Sequence, residues 1–586
     1  MEEKEIEQIF WLSGLKNAVK FNGTPNKKAI MGKIMAKSPN LKSQAKTIIP
    51  ILDQVIDNIL KLNLEEQKTK LLELDSHALD KKELIVEKKV LPELPNLSKF
   101  NRIVMRLAPY PSGALHIGNA RMIVLNYEYV KRYNGELILF FDDTIGSPKS
   151  LRDSPKAKYV LPESYDLITE GLEWLGISYS KIYYKSDRLE IFYQYCEQLI
   201  KDNLAYVCFC SADMFREKFK KEKKNCPHRN HSVDKNLEEW NAMLDKKYHE
   251  GEAVVRLKTG MVQKDPALRD QIIMRISEAE HPKVGTKYNV WPMLEFSWAI
   301  DDHLIGVTHI LRGIDLVKED FIENFIWDHF EWNKAEFLHY GKISFANMKL
   351  SKTEARNNIQ NGVYKDWDDP QTWSLQSLKK RGIKPEALSE VLIELGMSLT
   401  GINFSVNWLY SKNKDIIDDI SNRYFYVEDP LKIIITGISV QEYIAKPLLH
   451  PTHPEKGKRE IRCNVKNSQL TLLISFKDAN NLKINQIIRL KDLINIQVNS
   501  IDLDKKIIKS TFHTKELNRD FPIIQWVHEE ENIKVSIFNP NGSVSSGNGE
   551  ISLLKIPMNQ TIQFERFGFV NPIEIKQNCL FCYFTH

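Results

Sequence analysis

No run of eighteen or more apolar residues occurs anywhere in the chain, so the sequence offers no membrane-spanning helix. Its start, MEEKEIEQIF, lacks the basic-then-apolar order of a secretory signal. Seven cysteines, unevenly spaced over 586 residues, give no disulfide framework. Together these absences predict a cytoplasmic protein with no membrane partner. The fingerprints G-x-G-x-x-G and G-x-x-x-x-G-K-[ST] are also missing, which disfavours the commonest dinucleotide and P-loop sites. Internal repeats and long low-complexity tracts are absent too. One absence is local: between Phe10 and Leu52 there is no Asp or Glu, while Lys16, Lys20, Lys27, Lys28, Lys33, Lys37, Lys42 and Lys46 all fall inside. A second basic cluster, REKFKKEKKNCPHR, begins at Arg216. The net charge of +5 says little by itself, but two separate basic patches favour a long polyanion as partner.

What is present divides along the chain. The length predicts three to five domains. Residues 1–95 read as helical, with apolar residues at three-to-four spacing in AKTIIPILDQVIDNILKLNLEEQKTKLLEL, ending before the breaker-rich LPELPN. From Arg102 the pattern becomes an apolar run, a loop, an amphipathic helix over roughly 116–134, Gly135, and the run ELILFF ending at Asp142-Asp143. Strand, helix and strand in that order form a βαβ unit and hence a parallel sheet, with ligands beyond the carboxyl ends of the strands, where the 109–119 loop and Asp142 fall. Helical signals continue to about residue 200. A cysteine-containing knob then interrupts the sheet, and YNVWPMLEFSWAIDDHLIGVTHILRG is expected to rejoin it. Helices return from about 372 to 421. Beyond Tyr424, short apolar runs with polar turns predict an all-β barrel or sandwich.

Pro109, Pro111, Gly113, His116 and Gly118 share one eleven-residue loop, and far downstream stands MKLSK, Met348 to Lys352. A Gly-rich turn opening a helix is a candidate phosphate site, because unpaired N–H groups and the helix dipole point at it. PYPSGALHIGN resembles the HIGH-type signature of class I aminoacyl-tRNA synthetases, and Lys349-Leu350-Ser351-Lys352-Thr353 resembles its KMSKS partner. LILFFDDT, VTHILRGID, NRYFYVEDP, HPTHPEKGKREI and IIRLKDLINI extend the resemblance over nearly the whole chain, to the archaeal and eukaryotic-type glutamyl branch of that family.

The resemblance implies a multidomain α/β protein: an N-terminal helical domain (1–95), a Rossmann-like catalytic domain in two halves (96–200 and 286–345) around an acceptor-binding insertion (201–285), the KMSKS-type loop and helical connector (346–423), and a β-barrel anticodon-binding domain (424–586). It implies adenylation of L-glutamate with ATP as substrate and Mg2+ bridging phosphate oxygens, then transfer to tRNA-Glu, with tRNA-Gln a further candidate, by a monomer. His116, Lys349 and Lys352 would carry the chemistry. Pro109, Gly113, His116, Gly118, Asn119, Ser351 and Lys352 would line the ATP site. Arg106 and Arg312 would hold the carboxylates of glutamate, Asp142 its α-ammonium, and Leu294 would line the same pocket. Two fixed guanidinium charges suit a second carboxylate better than an amide, which favours glutamate over glutamine.

Three departures from the family pattern stand out: Asn119 in place of the second signature His, Phe140 where Arg is usual, and Leu294 where Tyr is common. Glutaminyl-tRNA synthetase remains an alternative of the same architecture. A non-catalytic tRNA-binding scaffold is the alternative of another class. Finally, Cys208, Cys210, Cys226 and His228 give C-x-C-x15-C-x-H, two close pairs able to supply a tetrahedral Cys3His set for a structural Zn2+ in the knob. Cys579-x-x-Cys582 has no partner pair nearby and reads as structural.

Overall fold

In the computed structural model, residues 3–20, 23–27, 30, 31, 34, 45–75, 91–345 and 350–586 are described. The chain forms two units, Met1–Lys88 and Lys89–His586. Within the first lie helices α1 (Glu3–Lys20), α2 (Ala45–Leu60) and α3 (Leu64–Leu74). On α2, Ile48, Leu52, Val55 and Ile59 recur at helical spacing and bury against Phe10, Leu15 and Leu71. Asn63 caps α3 by accepting from Glu65 N and Glu66 N, while Glu66 accepts from Asn63 N, a reciprocal capping box. Lys16 pairs with Asp75 at 2.6 Å and Lys27 with Asp53, so acids flanking the acid-free stretch neutralise part of its charge.

The second unit opens with the expected βαβ element: β1 (Val104–Leu107), α4 (Ile117–Arg132) and β2 (Glu136–Phe141), the strands paired in parallel with Arg106 opposite Ile138. Strand β2 is apolar and buried from Leu137 onward, as a strand covered on both faces must be. After α5 (Ser164–Trp174), β3 (Lys181–Tyr184) adds in parallel to the far side of β2. Helix α6 (Leu189–Lys201) leads into an antiparallel four-stranded sheet in the order β4 (Ala205–Cys208), β5 (Val254–Leu257), β6 (Ile272–Ile276), β7 (Val290–Pro292), with α7 (Val233–Leu244) between β4 and β5.

Here the structure departs from the sequence expectation. The segment from Tyr288 does not rejoin the parallel sheet at once: Val290–Pro292 is the last strand of the insertion's own sheet. The return comes after α8 (Leu294–Ile305), where Thr308 N donates to Val104 O at 2.9 Å and brings β8 (His309–Gly313) alongside β1. Helix α9 (Val317–His329) then connects β8 to its parallel neighbour β9 (Glu336–Tyr340). A short apolar strand reads alike in either sheet; only its long-range partner distinguishes them.

Strands β10 (Ile343–Phe345) and β11 (Ile402–Phe404) pair in parallel around helices α10 (Lys352–Gln360) and α11 (Pro385–Leu395), and α12 (Val406–Ile417) follows. From Arg423 on, beside one two-stranded pair, the described strands make two seven-stranded sheets, the all-β architecture expected there. One is built around Pro430–Thr436, the other around Asn532–Phe538, and each has its own core. Cys582 is buried in the second core, in line with a structural reading. Among the described residues no helix is long and apolar enough to cross a membrane.

Candidate active site

The 109–119 loop is shaped by two local demands. Gly113 has φ +138°, and a Cβ there would stand 2.1 Å from the Trp367 ring, so only glycine fits between loop and ring. His116 is the N-cap of α4: its Nδ1 accepts from Gly118 N at 3.1 Å, which leaves Nε2–H as the outward donor of the neutral ring. Asn119 closes the cap, its Oδ1 accepting from His116 N at 3.2 Å. The departure at Asn119 therefore has a structural role in holding the signature turn. Burial, then the nearby Lys352 charge, pushes the His116 pKa down to about 4.

The second signature segment meets the first. Leu350 approaches so closely that a Cβ on Gly118 would lie 3.4 Å from Leu350 Cδ1. Ser351 caps α10, its Oγ accepting from Glu354 N at 3.2 Å. Lys352 Nζ donates to Tyr110 O at 3.3 Å, and burial pushes its pKa down to about 8. Between the segments lies a cavity of about 330 Å3 lined by His116, Gly118, Arg121, Tyr340, Ile343, Phe345 and Leu350. Arg121, which the sequence reading missed, donates to Gly341 O and Gly396 O at 2.7 and 2.6 Å and ties the walls together. Lys349, assigned beside Lys352, lies outside the described residues.

A second cluster gathers at the carboxyl ends of β1, β2 and β8. Asp142 N donates to Pro109 O at 3.2 Å, which links it to the signature loop. Arg106, Asp142 and Arg312 are each at least nine-tenths buried, and Leu294 stands half-buried at the start of α8. Both guanidiniums already have partners inside the fold. Arg106 donates from Nε and Nη2 to the two carboxylate oxygens of Asp302 at 2.5 and 2.7 Å. Arg312 donates from Nη1 to Glu323 Oε1 at 2.7 Å and from Nε to Asp320 Oδ1 at 3.0 Å. The reason is electrostatic: a buried cation without a counter-ion costs several kcal/mol, so the chain supplies its own acids.

Asp142 is paired as well, with the buried Lys185 at 3.0 Å, and Arg188 pairs with Asp301 at 2.7 Å. Trp298 sits in the middle, its ring centroid 3.5 Å from Arg106 Cζ and 3.7 Å from Lys185 Nζ. Two cations that close to one centroid must occupy opposite faces. Phe140 supplies no charge: it packs edge-on against Trp298 and stacks on Tyr183. Sequence reasoning missed Lys185, Trp298, Asp302, Asp320 and Glu323. The adjacent acids Asp301-Asp302 within an apolar run were the available signal.

In the insertion, Cys208, Cys210, Cys226 and His228 offer ligand atoms all within 4.8 Å of one another. Cys208 Sγ lies 3.9 Å from Cys226 Sγ, and His228 Nδ1 lies 3.5 Å from Cys210 Sγ and 4.0 Å from Cys208 Sγ.

Residues 102–419 match the family model described as tRNA synthetases class I (E and Q), catalytic domain. Residues 421–515 and 523–572 match two models described as the anti-codon binding domain of the same group. The glutamate–tRNA ligase of Pyrococcus abyssi is 40% identical over 602 aligned positions, spanning 99% of this chain and 100% of that protein. Those of Methanobrevibacter smithii and Methanocaldococcus jannaschii are 38% and 37% identical, with 99% and 100% of this chain and 100% of each relative covered. The chain belongs to the class I tRNA synthetases of the E and Q group, within the glutamate–tRNA ligases.

Proposed function

We propose that the chain activates L-glutamate with ATP at the junction of its two signature segments and esterifies the product to tRNA-Glu. One observation carries the assignment of the residues. Lys352 and Tyr110, 242 residues apart, are in hydrogen-bond contact, and this brings the His116 turn and the 350–352 segment to one cavity. The substrate carboxylate is already ionised at neutral pH and attacks the α-phosphorus of ATP; the bond to pyrophosphate breaks, and no general base is needed. Alignment and charge stabilisation are what remain for the protein to supply. The Nε2–H of His116 and the α4 N-terminus donate to phosphate oxygens, Gly118 admits close approach, Gly113 lets the ATP loop close against Trp367, Pro109, Asn119 and Ser351 shape the walls, and Lys352 neutralises the leaving pyrophosphate. Lys349 shares that task in this proposal. No carboxylate lines the described cavity, so the donor set fits a Mg2+ that arrives on the nucleotide, where it would neutralise phosphate charge.

The choice of glutamate rests on the curated relatives, since Arg106 and Arg312 are already paired. In the binding reading, Asp142 takes the α-ammonium, and the two arginines share their hydrogen bonds between internal acids and the substrate carboxylates, beside Leu294. Residues 421–572 would receive the anticodon and the insertion the acceptor end. Phosphate contacts would give affinity a log–log salt slope of about −0.7 to −0.9 per phosphate neutralised. The deciding experiment is charging of purified tRNA-Glu and tRNA-Gln with each amino acid. Preferential esterification of glutamine overturns the amino-acid assignment, and the tRNA-Gln arm settles whether both tRNAs are charged.

The Cys3His cluster fits a structural Zn2+. A tetrahedral ion with bonds of about 2.0–2.3 Å spaces its ligands about 3.3–3.8 Å apart; three of the pairs stand at 3.5, 3.9 and 4.0 Å and all lie within 4.8 Å, and three thiolates with an imidazole suit zinc. Metal content after exhaustive dialysis should be one zinc per chain, and Cys226→Ser should lose it. Zinc retained by that variant rules out this ligand set.

A further inference from the structure

Lys185 follows β3 and is fully buried, a costly position for an ammonium. Three groups hold it there: Asp142 Oδ1 at 3.0 Å, Ser297 Oγ at 2.6 Å, and the face of Trp298. These contacts are unequal. The one to Asp142 is an attraction of charges without hydrogen-bond alignment, and Asp142 Oδ1 accepts no hydrogen bond although it is buried. A better aligned N–H donor therefore finds an open lone pair on that oxygen. The contact to Ser297 is a true hydrogen bond, and the serine hydroxyl is itself fixed by donating to Leu294 O at 2.9 Å. Lys185 thus has a neutral anchor that does not depend on Asp142.

We propose that Lys185 is an internal competitor at the ammonium subsite, so that glutamate enters by exchanging its α-ammonium for that of Lys185 on Asp142. During the exchange the lysine stays on Ser297 and the Trp298 ring. Burial lowers the pKa of Lys185 while Asp142 raises it, so losing the carboxylate as partner also makes the ammonium easier to deprotonate. The inference rests on Asp142 being the partner of the substrate ammonium. It makes Lys185 a residue that sets affinity from inside the fold, because a subsite occupied by its own side chain lowers apparent affinity by the fraction of time it is taken.

The test uses the full chain and glutamate-dependent exchange of pyrophosphate into ATP, with tRNA present. A competitor in place nine-tenths of the time lowers affinity about tenfold, so Lys185→Met should lower the KM for glutamate by about that factor. Glutamate should also raise the melting temperature of Lys185→Met more than that of the parent, since it then replaces the cation that Asp142 has lost. Ser297→Ala removes the anchor and should raise the KM; it carries the test where Lys185→Met does not fold. A residue with a purely structural role gives a KM for Lys185→Met that is unchanged or raised, and either result overturns the exchange, as does an unchanged KM in Ser297→Ala. Asp142→Asn separates the two layers. An unchanged KM there removes Asp142 from the subsite and the exchange with it. A raised KM in both Asp142→Asn and Lys185→Met keeps Asp142 and overturns the exchange alone.

Discussion

The cavity between His116 and Lys352 and the cluster around Trp298 lie on the same sheet ends yet are built on opposite principles. In the first, the donors are only lightly engaged: His116 spends one ring nitrogen on its own helix cap, and Lys352 holds a single backbone carbonyl. In the second, each of Arg106, Lys185, Arg188 and Arg312 has a carboxylate partner inside the fold. A site that is to receive a phosphate chain, as proposed for the first, can keep its donors partly buried with hydrogen-bonding capacity unspent. A buried cluster of cations cannot leave charge unpaired, and so answers it with the chain's own acids.

Four perturbations probe that contrast. The largest expected effect is on stability in the paired cluster: Arg312→Met strands the fully buried Glu323, whose carboxyl burial already pushes toward the protonated form, and should cost about 3–5 kcal/mol in denaturant unfolding. A loss under about 1 kcal/mol would show that the pair is not holding the fold. Next, Lys352→Ala should leave unfolding close to the parent but lower the activation rate about 10²–10³-fold, the size typical of a lost transition-state donor. Equal activity removes Lys352 from the chemistry.

Smaller effects follow from titration. The fold keeps His116 neutral down to about pH 4, whereas the unfolded chain takes up that proton near 6.5. Between those values the unfolded state binds more protons, so stability falls as pH is lowered through the window, by at most about 3 kcal/mol. In His116→Gln this part of the acid sensitivity should vanish, which melting curves of the two proteins between pH 4 and 6.5 will read. Last, the Lys352 ammonium titrates near 8. The kcat/KM for ATP should therefore decline as pH rises through that value, and Lys352→Arg should move the alkaline limb out of range. Identical limbs in the two proteins would assign the titration elsewhere.

The contrast also explains what could be read from the sequence. The βαβ unit and the turn at 113–118 are local, written in apolar periodicity and in glycines and a cap within a dozen residues. The Cys3His set was legible because its two pairs keep ligand spacing. The partners of the arginines were not: Asp302 lies 196 residues from Arg106, and nothing near either residue announces the pairing. Lys185 was hidden differently, since a lysine in YYKSD has the look of an exposed strand end, and only the sheet carries it inward. Asn119 was read for what it is not; as the third residue of a helix beginning after His116, it could have been read as a cap. The two C-terminal sheets share one run of similar strands, and strand spacing does not record which sheet each strand joins.

The four-stranded sheet of the insertion has a consequence for anyone who would cut it out. The chain enters on β4 and leaves on β7, and these are the two outer strands of the sheet, not neighbours. Three strand spacings separate them, about 14 Å. A loop inserted into a host domain can be excised and its stumps joined, because they emerge side by side. Here the stumps would gape, and a splice of fewer than about five residues could not span them even fully extended. The exit strand also runs, through Met293, straight into α8, which bears Trp298, Asp301 and Asp302. A graft or deletion at 205–292 therefore has to supply a spacer as stiff as the sheet it replaces, or the helix behind the pocket loses its starting point.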